Sequence, residues 1–456
     1  MRRLCWILAG CLPSCTPSPE PPQQVVLVVC DTLRADHLSL YGYSRPTSPN
    51  LEQLAQESTV YHRAQAAAPW TLPSHASIFT GLYPSEHGAR TWSGDDLKEL
   101  RDKGWSEDNN VGPLAAHHTT LAELFQAHGW ATGAVVANVA YMHERYGIAQ
   151  GFDSYQRQRG PVEEITRRAL QFIEAHKHES FFLFVNLMDT HRPYNVRPHP
   201  PIPDRSSDGN LLKRLVPLIL DPNASASPEL LDALKDQYDT AIANLDEGLG
   251  DFFETLRKDG LYDNMCLMVT SDHGEFLGEH DLIEHSKDVY QGTLHVPLIV
   301  KAPGQTKRMD DHDWIGHVHL PGLILDALAH PETNSPLRSH WPRRDGVLSE
   351  NYDSRVHDLR APWGDRFRRS RRVLVSGSLK TILSSDGNHE TYNLLEDPQE
   401  NLPLMADETQ TKHQESALES FGGLKMAPPG GAVELDEEAM RAMEQLGYGG
   451  NPYDSK

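Results

Sequence analysis

The run VVLVVCD, residues 25–31, decides the fold because it is apolar at every position until it ends in an aspartate. Continuous rather than alternating hydrophobicity predicts a strand that is covered on both faces of a sheet. Helical patterns separate it from similar runs, so the sequence predicts an α/β fold with a mostly parallel central sheet. The further runs are WATGAVVAN (130–138), FFLFVNL (181–187), MCLMVTSD (265–272) and VPLIVKA (296–302).

The composition of the chain changes at both of its ends. After about residue 345 short β-like pieces follow one another, as in RRVLVSGSLKTILSS (371–385), and they predict a smaller appended α+β subdomain. We therefore expect four parts: a lipoprotein-type signal and proline-rich tether (1–24), the main α/β domain (25–345), a C-terminal subdomain (346–405) and an acidic tail (406–456).

The N-terminal residues MRRLCWILAGC combine two arginines, a short apolar run and a cysteine. LAGC resembles a bacterial lipoprotein cleavage box, which implies removal of residues 1–10 and lipidation of Cys11; an ordinary apolar N-terminus is the alternative. We expect either a lipoprotein of the bacterial cell envelope that faces the periplasm and is anchored to the membrane through Cys11, or a secreted protein.

The overall charge limits the class of partner. The chain holds 42 Lys and Arg against 64 Asp and Glu, a formal net charge of −22. Nucleic acid is bound through clustered cationic side chains, so this balance argues against a nucleic-acid partner. A small anionic substrate is compatible with it, since a metal ion and a few basic groups can override the overall field locally.

Acidic and histidine side chains follow three of the predicted strands. Asp31 ends the first run, Asp189 and His191 follow the third, and Asp272 and His273 follow the fourth. Ligands of open α/β sheets bind outside the carboxyl ends of the strands, so these side chains should share one edge. Two carboxylates and one imidazole, Asp31, Asp272 and His273, suit a divalent cation such as Ca²⁺, Mn²⁺, Mg²⁺ or Zn²⁺, although either aspartate alone could cap a helix.

The stretch APWTLPSHASIFTGLYPSEHG, residues 68–88, predicts a helix that starts with Thr71 as its cap and ends at Gly81. A bare helix cap is the simplest interpretation of Thr71. Beside a divalent cation, however, its hydroxyl becomes both a metal ligand and a nucleophile, and the helix N-terminus favours a bound anion.

Three segments together resemble the sulfatases, members of the alkaline phosphatase superfamily: residues 25–88, VTSDHGEFLGEHDLIEHSKDVYQGTLHVPLIV (269–300) and LKTILSSDGNHETYNLLEDPQENLPL (379–404). The resemblance implies a three-layer α/β/α sandwich with a smaller C-terminal subdomain. It also implies metal ligands at Asp31, Asp272 and His273, and a nucleophile at Thr71.

Further site residues are implied by the same resemblance. His191 matches a histidine that contacts the substrate or the leaving group, and His285 lies where many members carry a lysine, and others a histidine, that holds the oxygens of the anion. We also expect substrate contacts from His75, Arg34 and Lys287; for these three, packing or surface roles are the alternative.

The departures from the family pattern bear on the chemistry. The signature Cys-x-Pro-x-Arg, whose first residue is oxidised to formylglycine, reads Thr71-Leu72-Pro73-Ser74-His75 here. Threonine is not a recognised precursor of the aldehyde, so we expect no formylglycine. A sulfated threonine has no elimination route, whereas a phosphorylated threonine can be cleaved by attack at phosphorus. This asymmetry favours phosphate, phosphodiester or phosphonate esters over sulfate esters.

Three functions are therefore carried forward. The first is a metal-dependent hydrolase of sulfate or phosphate esters that uses Thr71, with a sulfated or phosphorylated glycan or lipid as a fitting substrate. The second is a transferase that passes the phospho group to a lipid or glycan acceptor. The third is a non-catalytic binding protein that kept the sulfatase fold.

Overall fold

A computed structural model describes residues 22–93, 110–194, 197–202, 210–329, 335–341, 346–405 and 407–427, with isolated residues between 433 and 443. The predicted signal and most of the tether, with Cys11, lie outside the described residues, so the lipid anchor stays a prediction. None of the helices in the described ranges is long and apolar enough to cross a membrane.

The central sheet has eight strands and is parallel except at one position. The strands of this part of the chain are β1 (Gln24–Cys30), β2 (Thr59–Gln65), β3 (Ala131–Val136), β4 (Ser154–Arg157), β5 (Phe181–Leu187), β6 (Met265–Thr270), β7 (Phe276–Leu277), β8 (Ile283–Glu284), β9 (His295–Lys301) and β10 (Met309–Gly316), of which β7 and β8 pair as a separate hairpin. The order of the central sheet is β10-β2-β9-β6-β1-β5-β3-β4, and only β9 runs antiparallel to its neighbours.

Both faces of the sheet are covered, as the unbroken apolar run of β1 predicts. Alternate residues of β1 pack into opposite cores: Val25, Leu27 and Val29 on one face, and Val26 and Val28 on the other. Together with the family resemblance, the three-layer sandwich is thereby confirmed. The α-helices are Pro49–Ala55, Thr71–Thr80, Pro84–His87, Leu121–Ala127, Val162–His176, Leu211–Leu220, Pro228–Lys258, Gln291–Leu294, Leu320–Ala327, Val356–Leu359 and Glu408–Gly422.

The C-terminal subdomain is a four-stranded antiparallel sheet. It consists of β11 (Gly346–Asn351), β12 (Arg371–Ser376), β13 (Leu379–Ser384) and β14 (Glu390–Asn393). One face joins the main core through Val347 and Val373. Within the predicted acidic tail, the helix Glu408–Gly422 packs Ala417 and Phe421 against the other face of this sheet.

Candidate functional site

Asp31, Asp272 and His273 meet at the carboxyl edge of the central sheet. Asp31 directly follows β1, and the other two follow β6, the parallel neighbour of β1 in which Thr270 lies opposite Val29. One ligand atom from each of the three side chains lies within 4.8 Å of the others, and all three residues are buried. The three side chains therefore converge at one edge of the sheet, as predicted. We call these three residues the metal cluster.

Each side chain of the metal cluster is held by one atom and presents another without a partner. Asn138 Nδ2 donates to Asp31 Oδ2 at 2.9 Å, the backbone N–H of His273 donates to Asp272 Oδ1 at 2.9 Å, and His273 Nδ1 donates to the Gly274 carbonyl at 2.8 Å. Asp31 Oδ1, Asp272 Oδ2 and His273 Nε2 are buried without a hydrogen-bond partner. Such buried orphan atoms are costly unless they bind something, and two oxygens with one imidazole nitrogen fit a divalent cation.

The electrostatics of the metal cluster favour the same occupant. Burial raises the pKa of Asp31 to about 7, while the hydrogen bond from Asn138 opposes the rise. Burial, and then the charge of Asp31, raise the pKa of Asp272 well above its usual range. Burial lowers the pKa of His273 well below its usual range, so the ring is a neutral ligand. Ionisation of both carboxyl groups has a high free-energy cost unless a positive charge compensates for it.

Metal affinity should therefore depend on pH. Protons compete with the cation for Asp31, and as pH falls through about 7 this carboxyl takes up its proton. We expect calorimetric Mn²⁺ binding to be weaker by about tenfold or more at about pH 6 than at about pH 8, because at least one proton must leave. An affinity that stays constant over this interval would contradict the assignment of Asp31 as a ligand.

Thr71 lies beside the metal cluster but does not cap its helix. The cap position belongs to Trp70, whose backbone is extended (φ −164°, ψ 164°) and whose side chain makes no capping bond, so Thr71 is the first helical residue. Its hydroxyl instead lies 3.4 Å from Asn138 Nδ2, the same amide nitrogen that donates to Asp31. The predicted cap is thus wrong, while the predicted proximity of the Thr71 hydroxyl to the Asp31 carboxylate is supported.

His75 lies next to the metal cluster as an uncharged ring. Its Nδ1 is 2.8 Å from the carbonyl of Thr71 and 3.6 Å from Asp272 Oδ2, and the ring meets Phe184 edge-on with centroids 5.7 Å apart. Burial lowers the pKa of His75 to about 4. The residue therefore cannot replace the positive charge of the signature arginine at neutral pH, and its contact with substrate stays a prediction.

His191 and His285 extend the site beyond the metal cluster. The His285 ring centroid is 4.7 Å from that of His273 and 5.1 Å from that of His191. His191 Nδ1 donates to the Arg192 carbonyl at 2.7 Å, and His285 Nδ1 pairs with Glu275 Oε1 at 2.9 Å, which orients both rings. Burial lowers the pKa of each, that of His191 to about 3.

Arg34 and Lys287 are committed to carboxylates outside the metal cluster. The Arg34 guanidinium pairs with Asp36 at 2.8 Å and with Glu279 at 2.9 Å. Lys287 Nζ lies 2.8 Å from Glu284 and 3.4 Å from a second buried carboxylate, that of Asp358. Both cations are thus paired with carboxylates, and their contact with an anion at Thr71 stays a prediction.

Two contributors to the site escaped the analysis of the sequence. Asn138 joins Asp31 to Thr71 and follows β3 by two residues, so the strand-end rule applied to the run 130–138 would have found it. Glu275 holds His285 from the segment after β6, and nothing in its spacing distinguishes it from an ordinary surface glutamate. Its full burial becomes visible only in the fold.

A buried carboxylate–imidazole cluster at the carboxyl edge of a mostly parallel sheet, next to a hydroxyl on the first turn of a helix, defines a class of metal-binding α/β proteins. The Sulfatase family model matches residues 23–330. The chain therefore belongs to the sulfatase family.

Relatives and solved structures agree with this membership. The chain is 32% identical over 132 residues to arylsulfatase D of Homo sapiens, covering 29% of this chain and 21% of that protein. It is 25% identical over 330 residues to an ulvan-active sulfatase of Formosa agariphila, covering 63% and 58%. The match thus spans less than two thirds of either relative. The crystal structure of a phosphonate monoester hydrolase of Agrobacterium radiobacter shares the fold, with a TM-score of 0.65, 18% identity and coverage of 88% and 95%.

Proposed function

We propose that the protein is a metal-dependent hydrolase of phosphate-type esters, with Thr71 as the nucleophile. The observation that carries the proposal is the shared amide of Asn138, which lies 2.9 Å from Asp31 Oδ2 and 3.4 Å from Thr71 Oγ1. It brings the carboxylate of Asp31, a predicted metal ligand, and the hydroxyl of Thr71 to one point at the start of a helix, where an anion is favoured.

The choice of phosphorus over sulfur rests on the residue at position 71. A threonine ester can be released by water only through attack at the transferred atom, a route that is ordinary for phosphorus. A phosphonate monoester hydrolase has the same fold, so the fold is compatible with phosphorus esters. The sulfatase names of the aligned relatives support the wider class of anionic esters.

The metal cluster and Thr71 Oγ1 would hold the cation. When bound, a divalent ion stabilises negative charge on the transferring group and lowers the pKa of a hydroxyl beside it. In our proposal Thr71 Oγ1 forms a bond to phosphorus as the bond to the leaving oxygen breaks. The proton that Thr71 gives up reaches the leaving oxygen through the ring nitrogens of His285 and His191.

A second attack completes the cycle. Water attacks phosphorus on the phosphorylated Thr71, the bond from phosphorus to Oγ1 breaks, and one proton of the water returns to Oγ1. Asn138 lies close to both Asp31 Oδ2 and Thr71 Oγ1, so it keeps this oxygen on the Asp31 side. Glu275, through its hydrogen bond at Nδ1 of His285, fixes the orientation of that ring.

A matched panel of aryl esters tests the substrate class. With Mn²⁺ present, we expect turnover of phosphodiesters or phosphonate monoesters to exceed that of the sulfate ester with the same leaving group by at least about 100-fold, because the sulfated threonine stalls. Single-turnover and steady-state rates are compared for each ester. Faster steady-state turnover of the sulfate ester would contradict the proposed function.

A further inference from the structure

The cations that the family resemblance implies for the anion are missing from their expected positions. Position 75 holds a histidine in place of arginine, and position 285 a histidine where many members carry lysine. A histidine ring carries no permanent positive charge, unlike the arginine and lysine of the family pattern. A permanently charged side chain for an ester anion at Thr71 must therefore come from another position of the chain.

Arg355 is a buried cation that the fold carries to this region from the C-terminal part of the chain. It follows β11 and immediately precedes the helix Val356–Leu359, and it is 3% exposed. Its Cζ lies 5.8 Å from the ring centroid of Tyr141. The Tyr141 ring meets Trp70, the residue before Thr71, with centroids 5.3 Å apart.

Hydrogen bonds at Ser286 fix the position of this segment relative to the site. The Ser286 carbonyl lies 3.2 Å from Asn351 Nδ2 and 3.2 Å from Ser354 Oγ, both on the segment that leads to Arg355. The Ser286 N–H donates to the Pro69 carbonyl at 2.9 Å. The segments that carry His285, Thr71 and Arg355 are therefore joined at one residue.

We infer that Arg355 binds the anionic group of the ester and replaces the cation that position 75 no longer supplies. A guanidinium can hold two oxygens of a phosphate-type group at once, which a histidine ring cannot do. The inference rests on the proposed function, because it assumes an anionic ester at Thr71.

Arg355 has an acidic neighbour on the helix that follows it. Its contact with Asp358 is loose, with Nη2 3.5 Å from Oδ2, and the same carboxylate oxygen accepts from Ser354 at 2.8 Å. Asp358 thus orients the guanidinium from one side.

Binding of inorganic phosphate tests the inference without turnover. Calorimetry with the Mn²⁺-loaded protein should show phosphate binding that is weaker by about 10- to 100-fold in Arg355→Gln, because a charge-assisted contact is lost, with part of the affinity retained in Arg355→Lys. Mn²⁺ affinity should stay within about twofold in both variants. Arg369→Gln is the control, because it removes an arginine that pairs with Asp288 and Asp386 in the same subdomain, and it should bind phosphate like the wild type.

Two results would overturn the inference: equal phosphate affinity of Arg355→Gln and the wild type, or no phosphate binding by the Mn²⁺-loaded wild type. The Arg355→Lys variant keeps the positive charge and serves the same comparison if the glutamine variant does not fold. Failure of the proposed function has a different signature, namely ester turnover that survives in Thr71→Ala while phosphate binding still depends on Arg355.

Discussion

Replacing Thr71 by alanine is expected to lower kcat for a phosphodiester by at least about 10³-fold, because removal of a covalent nucleophile leaves only the binding and charge stabilisation of the rest of the site. The same variant should unfold within about 1 kcal/mol of the wild type, since the hydroxyl neither caps its helix nor makes a short hydrogen bond. Steady-state kinetics and thermal unfolding measure the two effects on one preparation.

Thr71→Ser is the matched control for this prediction. It keeps a hydroxyl at the first helical position and should retain turnover at a level well above that of Thr71→Ala, with Mn²⁺ affinity close to the wild-type value. If Thr71→Ala and Thr71→Ser were equally active, the hydroxyl would have no part in the chemistry.

Asp272→Asn is expected to weaken Mn²⁺ binding by more than about 100-fold, because it converts a ligand carboxylate into a poor neutral donor. The amide oxygen can still accept the backbone N–H bonds that Asp272 Oδ1 receives from Thr32 at 3.2 Å and from His273 at 2.9 Å. The local fold should therefore survive the substitution, and turnover should fall together with metal binding.

The metal-free form of Asp272→Asn provides an independent readout. The pKa of Asp272 is raised in the folded protein, so the folded state binds the proton of this carboxyl more tightly than the unfolded state does. The bound proton therefore stabilises the folded state, and this stabilisation is lost as pH rises towards the folded-state pKa. At about pH 8 the asparagine variant without metal should unfold at a temperature equal to or above that of the metal-free wild type. A clearly lower unfolding temperature would indicate that Asp272 has a structural role instead.

Most strands of the central sheet could be predicted from the sequence, because a strand that is buried on both faces is an unbroken apolar run. β1, β3, β5, β6 and β9 match the predicted runs, with β1 and β9 each beginning one residue earlier. β2 (Thr59–Gln65), β4 (Ser154–Arg157) and β10 (Met309–Gly316) were missed, because polar residues interrupt each of them. The antiparallel direction of β9 could not be predicted either, because an apolar run does not encode strand direction.

The site was predictable where a strand end fixes a side chain and unpredictable where packing decides. Asp31, Asp272 and His273 follow strands that are neighbours in the sheet, so their convergence follows from topology. Whether Thr71 or Trp70 takes the cap position depends on the backbone angles that the preceding loop imposes. The sequence could not show that Arg34 pairs with Glu279, because the two residues are 245 positions apart and meet only in the fold.

Rapid acid quench of the Mn²⁺-loaded protein during phosphodiester turnover, followed by mass spectrometry of its peptides, tests the central claim most directly. The account predicts a phosphoryl or phosphodiester adduct on Thr71 that appears before steady state and is absent from Thr71→Ala. Full turnover by the wild type with an unmodified Thr71 at every time point, or with the adduct on another residue, would contradict it.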